Sequence, residues 1–159
     1  MAKHTLRGNV INEKQAIAHS RIEIMLAISG SLSGLLVACF IAAKNDYFYS
    51  NLQYYWGSQL LVLACLAPLR PRPAIVAGAG LFLAFYLGCF HTWVFSMVRP
   101  ESMLWIIYFF SLAGAALTMM LGAYWQHRQP QRAIWLSAGL SALHTMAGLG
   151  LGVLVLAIW

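Results

Sequence analysis

Residues 73–98 read PAIVAGAGLFLAFYLGCFHTWVFSMV, a run without one charged side chain. A helix of about 20 apolar residues, rising ~1.5 Å per residue, crosses the ~30 Å hydrocarbon core of a bilayer. The run is bracketed by Arg72-Pro73 on one side and Arg99-Pro100 on the other. Charge marks the membrane boundary, and proline disfavours one helix running through the break. The same punctuation recurs at Arg70-Pro71 and at Arg128-Gln129-Pro130-Gln131-Arg132. Working outward from these breaks gives apolar runs at about 22–43, 52–69, 73–98, 102–126 and 133–158. The predicted fold is therefore an all-α integral membrane protein with five spans, or four if the short second run is re-entrant.

The whole chain agrees. Of 159 residues, 61% are hydrophobic and 9% are charged, against about 25% charged in a soluble domain. So few charges could not cover that much apolar surface in water, and a disordered chain needs the opposite composition. The balance of 10 basic to 4 acidic residues, net +6, could suggest nucleic acid. The basic residues stand at span boundaries instead, so topology accounts for them and no nucleic-acid partner is expected. With the N-terminus in the cytoplasm, the inner segments hold Lys3, Arg7, Lys14, Arg21, Arg70, Arg72, Arg128 and Arg132, and the outer ones Lys44 and Arg99. That asymmetry is the positive-inside pattern. It predicts an N-in, C-out chain, with the inner membrane of a bacterium as its location.

Residues 1–21 form a basic cytoplasmic arm and 22–159 the membrane domain. The first apolar run is read as a retained span, because it is longer than a signal-peptide core and ends Ile41-Ala42-Ala43, with no small residue at the −3 position. In the arm, Val10, Ile11, Ile17 and Ala18 stand opposite Lys14 and Arg21, which suits either a helix lying on anionic headgroups or a solvated segment. Aromatic residues gather at both expected interfaces: Tyr47 to Tyr49, Tyr54 to Trp56, Trp93, Trp105 and Trp159 outside, and Tyr124, Trp125 and Trp135 inside. Glu23 reads as a partner of Arg21. Cys39, Cys65 and Cys89 read as buried packing residues. Shifting the chain by 59 residues aligns Pro71 with Pro130 and Ala79-Gly80-Leu81 with Ala138-Gly139-Leu140. A duplication of spans 2–3 would leave that trace, although such matches come cheaply in this composition.

Stripes of small residues provide the helix contacts, since lipid gives helices no hydrophobic reason to associate. Span five carries Ser137, Ser141, Thr145, Gly148 and Gly152, with His144 beside them. Span four carries Ser111, Ala115, Thr118 and Gly122, and span one Ala27, Gly30, Gly34 and Ala38. Counting from the inner boundary puts Gln59, Thr118, His144, Ser31 and Ser33 at roughly 15–18 Å depth, near mid-bilayer. This set forms either a small polar site or interhelical hydrogen bonds. His91 falls ~10 Å away from His144 in depth, so the two do not suit one haem iron, and no cofactor or metal is expected.

What is missing narrows function further. No Asp, Glu, Lys or Arg lies inside a span core, which removes the usual means of carrying protons or cations across a membrane. No nucleophile–base pair, metal-ligand spacing or nucleotide loop occurs, so no catalytic residue is assigned. Three functions stay open. The first is a non-catalytic protein that binds another membrane protein, as accessory subunit, assembly factor or inhibitory (immunity) partner. The second is a small homo-oligomeric channel or facilitator for a neutral solute. The third is a headgroup-modifying enzyme using Arg70, Arg72, Arg128 and His127 on lipid phosphates, beside Arg132 in the same inner-face basic set. In size and span count alone the chain resembles small multi-span accessory subunits and inner-membrane immunity proteins against pore-forming toxins. No motif carries that resemblance.

Overall fold

The computed structural model describes residues 2–42, 46–97, 104–128 and 133–158, with side chains from Ser20 onward except those of 127 and 157. Lys44, Arg99, Arg132 and Trp159 lie outside the described residues, as do the side chains of the arm. Five helices make up the fold: α1 Ala2–Ile41, α2 Phe48–Ala64, α3 Pro73–Phe95, α4 Leu104–His127 and α5 Ile134–Ile158. A 3₁₀ turn, Ala67–Leu69, follows α2. Pro68 cannot supply a donor inside a helix, so the chain tightens there. Arg70 then takes the left-handed conformation, with φ 45° and ψ 56°, and Pro73 opens α3 at the position proline tolerates best. No strand occurs among the described residues.

Four stretches are long and apolar enough to cross a membrane: Ser20–Ile41, Pro73–Phe95, Leu104–Gln126 and Ile134–Leu156. The chain is an integral membrane protein. α2 is shorter, with 17 residues, or roughly 26 Å of helix. α1 continues through the basic segment without a break at Arg21.

α3 is the central helix. Leu83 and Leu87 are fully buried on it, and α1, α5, α2 and α4 all touch it. α1 and α3 run in the same direction: Glu23 pairs with Arg72, Gly30 meets Ala77 and Gly80, and Val37 reaches Gly88. α2 runs back beside them. α4 and α5 pack antiparallel along their length, Gly114 against Gly148 and Gly122 against His144.

Residue size sets helix separation. A Cβ on Gly30 would lie 2.6 Å from the Ala77 carbonyl oxygen, and one on Gly152 2.6 Å from that of Phe110. Gly78 meets the backbone of Ala138 in the same way. These pairs touch backbone to backbone, the approach that small residues permit. Between α3 and α4 large rings fill the gap instead. Tyr86 stacks on Tyr108 at 5.7 Å, and Phe90 meets Trp105 at 5.3 Å.

The two helix pairs matched by the 59-residue shift pack differently. Positions equivalent to the α4–α5 contacts Gly122/His144 and Gly114/Gly148 are Leu63/Phe85 and Tyr55/Cys89. Those side chains are too large for that approach, and Phe85 stands 64% exposed. The cysteines also differ from expectation: Cys39 and Cys65 are half-buried and Cys89 is exposed.

Candidate functional site

The polar groups of the spans divide between two places. The first centres on Gln59, 2% exposed on α2. Its amide donates to the Leu83 carbonyl on α3 at 2.9 Å and to the Tyr108 hydroxyl on α4 at 3.4 Å. Its oxygen end rests against Gly34 on α1, where any Cβ would collide with it. One carboxamide thus touches three neighbouring helices. Around it, Ser111 donates to the Tyr108 carbonyl at 2.6 Å, which leaves the Ser111 oxygen to accept from the Tyr86 hydroxyl at 2.7 Å. The Trp56 indole donates to the Ser31 carbonyl at 3.3 Å, tying α2 to α1.

The second place lies between α4 and α5. Thr118 donates to the His144 carbonyl at 2.7 Å. The His144 ring packs on Gly122, where a Cβ would stand 2.7 Å from Cγ. Its Nδ1 sits 2.6 Å from the Leu140 carbonyl. A carbonyl only accepts, so Nδ1 is the donor. Farther along α5, Ser141 donates to the Ile75 carbonyl at 2.8 Å and Thr145 to that of Ser141 at 2.8 Å.

Thr118 and His144 are brought together, and Gln59 is not with them. Its partner Tyr108 stands ten residues before Thr118 on α4, about 15 Å along the axis. Counting depth along each span assumed parallel axes and missed this offset. Ser31 and Ser33 turn onto their own helix, donating to Ala27 at 3.0 Å and Gly30 at 2.6 Å. Gly30, Gly34, Gly122, Ser141, Thr145, Gly148 and Gly152 are all buried against other helices of the same chain.

Among the described inner-face arginines, Arg72 and Arg128 have separate partners. Arg72 pairs with Glu23, which is 6% exposed, in place of the expected pairing with Arg21. The reason is the parallel packing of α1 on α3, which sets the start of α3 beside Glu23. Arg128 bonds the Tyr124 hydroxyl at 2.7 Å and lies over its ring. Arg70 is exposed in its left-handed turn.

Sequence reasoning missed the Tyr86–Ser111–Tyr108 chain. A signal existed: Tyr86 lies well inside a span, away from either aromatic belt, where a hydroxyl needs a partner. It also missed Gln126, 4% exposed with neither amide atom partnered. Among the described residues no three His, Cys, Asp or Glu side chains stand close enough to hold a metal.

Taken together, the arrangement is a set of hydrogen bonds within and between helices. The Ser and Thr hydroxyls described above donate to backbone carbonyls. The fold and these contacts define an all-helical integral membrane protein. Comparison with protein-family models, curated proteins and solved structures finds no match to this chain.

Proposed function

We propose that this chain is a five-span, N-in and C-out protein of a bacterial inner membrane that acts without catalysis by binding another membrane protein. It serves as an accessory subunit, an assembly factor or an inhibitory partner. The observation that carries this reading is the engagement of eight polar side chains of the spans. Gln59, Thr118, His144, Ser31, Ser33, Ser111, Ser141 and Thr145 all bond within the chain. Besides the buried, unpartnered Gln126 amide and His91 Nδ1, what is left to act on anything else is the outer surface. The separation of Gln59 from Thr118 and His144 weighs against a shared constriction for a solute. The separate partners of Arg72 and Arg128 weigh against one phosphate site.

Five crossings are supported by the parallel packing of α1 and α3. Two neighbouring spans that run the same way require the chain between them to recross the same thickness, and α2 with its 3₁₀ turn is that segment. A reporter fused after Trp159 tests the orientation: external activity is expected, and cytoplasmic activity would overturn it. Purification in mild detergent after cross-linking tests the function. A stoichiometric complex with one identified membrane protein is expected. A defined homo-oligomer that conducts a neutral solute in proteoliposomes would replace this function with the channel.

A further inference from the structure

A groove of about 880 Å³ runs between α2 and α4. On α2 it extends from Ser50 to Cys65 and on α4 from Phe109 to Met120, roughly 22 Å and 16 Å of helix. Val62 and Leu112 are buried at its floor, while Leu61 and Leu117 stand 69% and 66% exposed at its rims. It carries no charged side chain. Its polarity is graded. Ser50 and Gln53 lie exposed at the end where α2 begins, with Tyr54 edge-on to Phe109 at 4.7 Å just below. Deeper in, the Ser58 hydroxyl is turned onto the Tyr55 carbonyl at 2.9 Å, and the remaining walls are apolar. Beyond the other end, the 3₁₀ turn comes back against α4.

We propose that this groove holds one acyl chain of a phospholipid from the leaflet that faces the start of α2. Three physical points select that occupant. The groove opens on hydrocarbon, where water finds no partners and an empty furrow forfeits dispersion contacts on every wall. Its polar end lies where α2 begins and its apolar part farther along the helix, the order of groups in a phospholipid. Its length matches one leaflet, about 15 Å of hydrocarbon plus a headgroup turn. A crossing helix from a partner would need about 30 Å of continuous groove, and this one ends short of that. The inference concerns a lipid; it rests on the crossing proposed for α2 and stands independently of the protein partner proposed above.

The test uses the full chain in nanodiscs of palmitoyl-oleoyl phosphatidylethanolamine and phosphatidylglycerol, doped with a phospholipid carrying a mid-chain diazirine. After irradiation, adducts are mapped by peptide mass spectrometry. Adducts on residues 61–65 and 112–120 should exceed several-fold those on the lipid-exposed face of α5, at Leu143 and Leu154. Gly57→Leu places a side chain in the groove, where a Cβ is accommodated with its nearest neighbour 3.8 Å away. It should lower groove adducts several-fold and leave α5 adducts unchanged, with Ala116→Phe doing the same from the other wall. Groove yields equal to those on α5, or unmoved by both substitutions, would overturn the proposal. Protein–protein cross-links at these residues in place of lipid adducts would overturn it in favour of a helix.

Discussion

Replacing Gly30 by alanine should separate α1 from α3. The added Cβ would meet the Ala77 carbonyl oxygen at 2.6 Å, its Cα at 2.8 Å and its carbonyl carbon at 3.1 Å. All three are backbone atoms, so no rotamer change relieves the overlap. Restoring an ordinary 3.4 Å contact means parting the helices by about 0.8 Å at the crossing. A gap of that size forfeits a quarter to a half of each flanking dispersion contact, and overpacked sites cost about 1–3 kcal/mol. In lipid no hydrophobic gain offsets this loss. Gly139 provides the control. It is also a helical glycine, on α5, but nothing lies within 4 Å of its Cβ position. Gly139→Ala should be neutral or stabilising by up to ~1 kcal/mol through helix propensity. Both variants would be unfolded by SDS titration from mild detergent and followed by circular dichroism. A Gly30→Ala midpoint within about 0.5 kcal/mol of the Gly139→Ala midpoint would refute the backbone contact between α1 and α3.

Three further outcomes are expected. Gln59→Leu should cost about 0.5–1.7 kcal/mol, the range for membrane hydrogen bonds, and leave function intact; lost function with normal folding would restore a solute site at Gln59. A double-mutant cycle with Glu23→Gln and Arg72→Gln, read by the same titration, should give a coupling of about 1–3 kcal/mol. Additive effects would mean that the two side chains do not interact. Arg70→Gly should be more stable than Arg70→Ala by about 0.5–1 kcal/mol, because only glycine takes a φ of 45° without strain. Equal stabilities would place Arg70 elsewhere in backbone space.

Much of the fold is legible in the sequence because lipid imposes one-dimensional rules. Charge with proline marks Arg72-Pro73, and α3 begins there. The stripes Ser111–Gly122 and Ser137–Gly152 face inward, as their spacing of three and four predicts. A stripe reveals which face packs but not which helix it meets. That is why Glu23 was matched with Arg21, its sequence neighbour, when α3 brings Arg72 to it across the bundle. The polar set counted to one depth divides between two sets of partners for a related reason. Residue counts measure distance along each helix, whereas Gln59 and Thr118 are placed by the helices they bond. The second apolar run, 52–69, was displaced because helix α2 starts earlier, at Phe48, and Pro68 cuts it short.

The parallel pairing of α1 with α3 bears on how the chain is made. Spans enter a membrane in order, and α4 and α5 are successive, so that pair can close as soon as α5 arrives. α1 cannot do the same. Its glycine face fits α3, and α3 emerges only after α2 has turned back. Until then α1 lies in the bilayer with Gly30 uncovered, and the Gln59 amide on α2 lacks both Leu83 and Tyr108. The early intermediate therefore presents to the cell's surveillance the surfaces that the finished protein hides, and any delay in delivering α3 prolongs that exposure.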